Sequence, residues 1–315
     1  MSAEQQYQRI VPRAPAWSVV ADALPIAALI VFGLWYWLAS APAALEPMQH
    51  YNSMKLKPVT ANSAETLYRI YAELGYQWLP EDPIPALSLR AFPQDLSETA
   101  VQRKKRLFFS SLLPLVLAEN HIVRVERATL RDLFAAGALE PGTSAWNSAR
   151  RIAARYKVEG DINERSVRDT LLQRIGEIPP SLALAQAANE SAWGTSRFAR
   201  EGNNLFGQWT WDASQGMVPR RRDSDADHYV RRFETLRASV RAYVRNLNTH
   251  PAYEELRDHR AELQRIGKHV SGMRLASGLT AYSERGMAYV NEIREMIAYN
   301  RLQRVNDAQL ALSGE

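Results

Sequence analysis

Beyond residue 63, apolar residues recur at helical spacing along most of the chain, and the interval where that rhythm stops constrains the fold most. Between residues 208 and 232 the pattern becomes short aromatic and β-branched segments. These are Gln208-Trp209-Thr210-Trp211, Gly216-Met217-Val218-Pro219 and His228-Tyr229-Val230-Arg231, separated by polar or glycine-containing turns. Helical rhythm then resumes. Phe233, Leu236, Val240, Tyr243, Val244 and Leu247 form one apolar stripe. Met287, Tyr289 or Val290, Ile293, Met296 and Ile297 form another within residues 284–301. The pattern predicts a mostly helical α+β fold with a small antiparallel β lobe of two or three strands.

Upstream, Leu67, Ile70, Tyr71 and Leu74 predict a helix over residues 64–77, after which Pro80, Pro83, Pro85 and Pro93 break regular structure. A helix is expected from near Ser97 to Ala118, and another over residues 123–136. Residues 107–118 are apolar with Pro114 inside; this run is too short to span a membrane and suits a buried helix. The run Arg103-Lys104-Lys105-Arg106 reads as a solvated helix face, with an anionic partner as the alternative. Gly137, Pro141 and Gly142 mark a soft domain boundary, followed by helices over residues 146–156 and 164–175. The division expected is a helical accessory region at 46–140, a second domain at 141–302 and a tail at 303–315.

At the N-terminus, residues 23–45 carry no charge over 23 positions, enough to cross about 30 Å of hydrocarbon. Trp35, Tyr36 and Trp37 stand at the downstream end, where aromatics favour the headgroup region. Arg9 and Arg13 precede the run and favour a cytoplasmic residue 1–22 segment, although Glu4 and Asp22 weaken the asymmetry. The reading preferred is an uncleaved signal anchor in the inner membrane, single-pass, with everything after residue 45 in the periplasm. A cleaved signal peptide ending at Ala39-Ser40-Ala41 is the alternative. The net charge of +5 favours anionic polymers without identifying one. Cysteine is absent, which excludes disulfides, thiolate nucleophiles and Cys-ligated metals. The histidines are scattered and no HExxH string occurs, so no metal and no cofactor is expected. No reading element for nucleic acid is present.

Chemistry concentrates in Ala185-Gln186-Ala187-Ala188-Asn189-Glu190-Ser191-Ala192-Trp193-Gly194, followed by Asn203-Asn204-Leu205-Phe206-Gly207. Pro179-Pro180-Ser181 opens a helix whose last turn holds Glu190, and Gly194 can supply the left-handed residue that ends it. The negative end of the helix dipole disfavours an anion there, and a covering Trp193 would raise the pKa further. A carboxyl group still protonated near neutrality can act as a general acid. Gln186, four residues earlier, shares that face and could orient the acid or a sugar amide. Taken alone, Glu190 reads first as a solvated glutamate at a helix end.

These two strings, together with Asn246-Leu247-Asn248-Thr249-His250-Pro251-Ala252-Tyr253 and Tyr282-Ser283-Glu284-Arg285-Gly286, resemble glycoside hydrolase family 73, and within it the bacterial Bax-like proteins. The resemblance covers roughly residues 100–302. It implies a lysozyme-like α+β domain that cleaves β-1,4 bonds of peptidoglycan glycan strands. Glu190 takes the general-acid position and Tyr282 matches a tyrosine beside the cleft. A second carboxylate is implied on the β lobe, where Asp225 is preferred, then Asp227, then Asp223, with Asp212 also available. The chain departs from the Bax-like pattern at Tyr229, where a glutamate is common. A substrate-assisted route through the 2-acetamido group would need no second carboxylate. Phe206, Trp209, Trp211 and Tyr229 are candidates, with Tyr282, for sugar-binding walls, and Asn204 is expected to bind substrate; for Phe206, set against Leu205, the core is the preferred reading. Arg220-Arg221-Arg222 and Arg231-Arg232 could meet wall carboxylates. The rival readings are a lytic transglycosylase, whose usual Gly-Leu-Met-Gln string is missing here, and a catalytically silent wall-binding protein.

Overall fold

The computed structural model describes residues 54–81, 83–219 and 228–311. The expected span at 23–45 lies outside the described residues. So do Asp223, Asp225, Asp227 and Arg220-Arg221-Arg222.

Two short strands, β1 (Lys57–Val59) and β2 (Leu87–Leu89), pair in parallel and flank α1 (Ala64–Glu73). This sheet was not visible in the sequence, because three-residue strands among prolines leave no periodicity to count. Ser63 caps α1 by accepting a hydrogen bond from the Thr66 N–H.

The spine is α2 (Val101–Ala135), a single 35-residue helix where two had been expected. The expected break fell at Glu119-Asn120-His121, which reads as a polar interruption. In the structure Glu119 and Asn120 are buried, and their polar groups are met by partners far away in sequence. The side chain of Asn120 both donates to the Ile178 carbonyl and accepts from the Ile178 N–H, at 2.7 and 2.9 Å. Glu119 receives Arg237 Nε at 2.6 Å and Arg241 Nε at 2.9 Å. Two turns further along α2, buried Glu126 pairs with Arg155 and accepts from the Tyr156 hydroxyl at 2.7 Å. Among the described residues, α2 is the one helix long and apolar enough to cross a membrane, but its apolar window is 83% buried inside the protein. It is a core helix.

Next come α3 (Ser144–Arg155), α4 (Arg165–Arg174), α5 (Pro180–Glu190) and the short α6 (Arg197–Gly202). The β lobe follows, with β3 (Trp209–Thr210), β4 (Gly216–Met217) and β5 (Tyr229–Arg231) in the antiparallel order β3-β5-β4. Trp209 lies opposite Val230, and Met217 faces the same residue from the other side. The last helices are α7 (Leu236–Thr249), α8 (Glu254–Arg265), α9 (Gly272–Leu275) and α10 (Met287–Tyr299). The stripe expected on α7 is buried as read, and so are Tyr289, Val290, Ile293 and Ile297 on α10. Met287, expected inside, is exposed at the first turn of α10.

The fold is therefore mostly helical α+β with a small antiparallel sheet. One hydrophobic cluster runs from Val59 to Val305, crossing the boundary expected near residue 140. The reason is α2, which packs against α5 and α7 and so serves both halves. The described part of the tail at 303–315 docks on the domain: the Ile84 N–H donates to the Gln309 carbonyl at 2.7 Å, and the Ala311 N–H to the Ile84 carbonyl at 2.8 Å.

Candidate active site

Helix α5 is built to be buried. Every residue from Pro180 to Ala188 is inside, and the alanines let α2, α9 and α10 approach closely. Pro179 and Pro180 occupy its start, where a missing N–H costs nothing. Its end is sharper than expected. Ser191 Oγ donates to the Ala187 carbonyl at 2.5 Å and accepts from the Gly194 N–H at 2.8 Å. Three successive residues, Ala192, Trp193 and Gly194, then have positive φ of 49°, 61° and 77°, where one left-handed glycine had been expected. Two of the three carry side chains, so the turn holds strain that surrounding packing must offset.

Trp193 provides part of that packing. Its ring lies 5.2 Å from Phe109 and 5.8 Å from Phe108 on α2, with the Lys105 ammonium 4.5 Å from its centre. It is thus committed to α2, and the aromatic group bonded to Glu190 is a tyrosine instead. In the same region Arg103 pairs with Glu65 at 2.8 Å, so the basic run on α2 is partly engaged within the protein.

Gly194 admits nothing larger. A Cβ at this position would stand 2.8 Å from a carbon of the Phe92 ring. Gly194→Ala is therefore expected to cost about 2–4 kcal/mol, from left-handed backbone and overpacking together. Urea unfolding would measure it, and a cost within about 0.5 kcal/mol would show that the turn relaxes freely.

Glu190, half-buried at the last position of α5, accepts a hydrogen bond on Oε1 from the Tyr289 hydroxyl at 2.8 Å. Burial pushes its carboxyl above the ordinary glutamate range. The bonds from Tyr289 and Asn189 and the Arg285 charge act against that rise, whereas Glu292 adds to it. Arg285 and Glu292 pair with each other at 2.6 Å, which ties these two opposing influences together.

Tyrosines surround this carboxylate. Tyr289 stacks on Tyr282 at 5.3 Å and 7°, and Tyr282 lies 5.9 Å from Tyr253. Tyr282 donates its hydroxyl to the Phe206 carbonyl at 3.1 Å, so it links α10 to the loop before the β lobe. Burial and the Glu190 charge hold the Tyr243, Tyr253, Tyr282 and Tyr289 hydroxyls in their protonated form.

Gln186, expected to orient the acid or a sugar amide, and Asn204, expected to bind substrate, lie beneath the site, and Phe206 takes the core role preferred for it. Gln186 is fully buried, and its amide is engaged by the hydroxyls of Tyr243 at 2.6 Å and Tyr289 at 3.0 Å. Asn204 is buried with both ends of its amide in use. It donates to the Gln208 and Arg231 carbonyls at 2.7 and 2.8 Å and accepts from the Phe206 and Gln208 N–H groups. It fastens the loop to the β lobe. Phe206 stacks on Tyr243 at 3.9 Å and belongs to the core.

Trp209, Trp211 and Tyr229 are half-buried on the lobe. Trp209 stacks on His228 at 3.8 Å and 8°, and Tyr229 pairs in register with Thr210. Trp211 follows β3 rather than belonging to it, so strand alternation does not govern its direction. Asp212 is committed to its own turn through Ser214 and Gln215, bonds that hold its carboxyl below the ordinary range. Among the described residues no group of three or more potential metal ligands is assembled.

Sequence reasoning missed Tyr243 and Tyr289 as site residues because both fell on core stripes. The available signal was the hydroxyl. A tyrosine in an otherwise aliphatic stripe needs a buried hydrogen-bond partner.

A glucosaminidase-type domain fits this arrangement, and the family described as mannosyl-glycoprotein endo-beta-N-acetylglucosaminidase matches residues 170–302. Glu190 and the four tyrosines all lie within those limits. Protein bax of Escherichia coli (strain K12) is 35% identical over 202 residues, covering 63% of this chain and 70% of that protein. The chain belongs to the Bax-like family of glucosaminidase-domain proteins. No solved structure matches it.

Proposed function

We propose that the chain is an endo-β-N-acetylglucosaminidase that hydrolyses β-1,4 bonds in peptidoglycan glycan strands, with Glu190 as the general acid. The observation that carries this reading is the carboxyl of Glu190, half-buried at the end of an apolar helix and pushed towards its protonated form. The family match supports the substrate class. Glu190 donates its proton to the glycosidic oxygen, the aglycone leaves as an alcohol, and water adds at the anomeric carbon, its released proton passing to the assisting aspartate or back to Glu190. The partner at the anomeric carbon is an aspartate of residues 223–227, in the preference order Asp225, Asp227 and Asp223, or the 2-acetamido group of the substrate. Trp209, Trp211 and Tyr229 offer flat faces to the sugars from the lobe, on a lysozyme-like domain. Residues 23–45 anchor the chain in the inner membrane and place the domain in the periplasm.

The test is mass spectrometry of fragments released from purified sacculi. Reducing N-acetylglucosamine ends are expected. Products ending in 1,6-anhydromuramic acid would replace hydrolysis with transglycosylation, and binding to sacculi without release would make the chain a wall-binding protein.

A further inference from the structure

We infer that a directed hydrogen-bond relay through Tyr243, Gln186 and Tyr289 determines which oxygen of Glu190 carries the catalytic proton. The inference rests on the general-acid role proposed for Glu190. Tyr243 donates to Gln186 Oε1 at 2.6 Å, Gln186 Nε2 donates to the Tyr289 oxygen at 3.0 Å, and Tyr289 donates to Glu190 Oε1 at 2.8 Å. The three links come from α7, α5 and α10, and Gln186 and Glu190 stand one helical turn apart on α5.

The direction follows from counting donors. Each tyrosine has one hydrogen to give, and an amide has distinct donor and acceptor ends. Tyr243 is wholly buried and clamped face to face on Phe206. If the Gln186 amide were reversed, its NH₂ would face Tyr243, whose own hydrogen would lose its acceptor inside the core. The Tyr289 hydrogen would then turn to the Gln186 oxygen, and Glu190 Oε1 would lose its donor. In the orientation present both tyrosine hydrogens and both ends of the amide have a partner, and an unsatisfied buried donor costs enough to hold it there.

The consequence is chemical. With Oε1 held as an acceptor, a proton on Glu190 resides on Oε2. A proton on Oε1 would have to point at an oxygen whose own hydrogen already points back. The relay thus keeps the acid from donating inward and leaves its proton for the glycosidic oxygen. Tyr289 and Gln186 are positioning residues in this scheme. The other groups facing Glu190 are Asn189 on its own helix, Arg285 and Glu292 beside and on α10, and the hydroxyls of Tyr282, Tyr253 and Tyr243. Of these, Asn189 hydrogen-bonds to the Glu190 carboxylate and favours its ionised form.

The test uses the full chain with Tyr289→Phe and Tyr243→Phe, each checked by thermal melting. Two readouts are compared: the pH profile of kcat on peptidoglycan fragments, and the titration of Glu190 followed by carboxyl ¹³C NMR and assigned with Glu190→Gln. Tyr289→Phe keeps the ring stacked on Tyr282 and removes the hydroxyl that donates to Glu190 and accepts from Gln186 Nε2. Its kcat is expected to fall about 10- to 100-fold with KM within about twofold. Losing a bond to the anion raises the acid's pKa, so the alkaline limb and the NMR titration are expected to move up by about 0.5–1 pH unit. Tyr243→Phe frees the amide to reverse and shifts both in the same direction by less.

A purely structural role would lower the folded fraction and leave both curves in place. Folded variants with unmoved curves would overturn the inference. A full chain that cuts no glycan, but whose Glu190 titration still moves, would instead sink the functional reading and leave the relay standing. Should Tyr289→Phe fail to fold, an unmoved titration in Tyr243→Phe alone would overturn it.

Discussion

Glu190→Gln is expected to lower kcat on peptidoglycan by about 10²–10⁴-fold, the range for loss of a positioned general acid. The substitution keeps the shape and the oxygen that accepts from Tyr289, so KM should change little. It should also stabilise the protein, in a pH-dependent way. Because burial raises the folded-state pKa of Glu190, the folded chain releases this proton later than the unfolded chain. Below the unfolded pKa, near 4.5, both states are protonated and the group contributes no difference. As pH rises through the raised folded value, the unfolded state gains from ionising before the folded state can, and stability is lost. Glutamine never ionises. The variant and the parent should therefore melt together near pH 4, and the variant should melt higher at pH 8. Equal activity would remove Glu190 from the chemistry. Equal melting at both pH values would show that its carboxyl gains nothing from staying protonated.

The largest expected loss of stability comes from Glu119→Ala, about 3–5 kcal/mol, because it strands a buried charge rather than removing a surface contact. Glu119 is only 3% exposed and meets two guanidinium groups, of which Arg237 is itself 16% exposed. Arg237 also donates to the Met54 carbonyl at 3.1 Å, so the cluster holds α2, α7 and the start of the described chain together. With alanine, Arg237 keeps its charge in a nearly closed site without the carboxylate that offsets it. Denaturant titration would read the effect directly, and a change below about 1 kcal/mol would show that the pair is effectively solvated. Because α7 carries Tyr243, this variant should also be less active in proportion to its unfolded fraction, with no movement of the pH profile.

How legible the molecule was depended on the kind of information each feature needs. Helix α5 was readable because its signals are local: two prolines at the start, small apolar residues inside, a glycine after Glu190. The β lobe was readable because period-two segments interrupt period 3.6. The single long helix was not, since Glu119 and Asn120 read as a break until their distant partners are known. Asn204 and Gln186 were expected beside the sugar or the acid because their residue types suit it, and Phe206 was expected first in the core. The structure gives all three to the framework, because each is buried with partners inside the protein.

The sequence by itself therefore determined where the carboxylate stands, in the last turn of its helix, a consequence of backbone preference within a few residues. It also determined which faces turn inward, through the spacing of apolar side chains. Only the tertiary structure decided what meets what. Tyr289 reaches Glu190 from 99 positions away, and Arg237 reaches Glu119 from 118. Periodicity reports that a side chain is buried, but not which chemical group it is buried against. That second choice decides whether a buried hydroxyl is filler or part of the site, and whether a buried glutamate breaks a helix or anchors one.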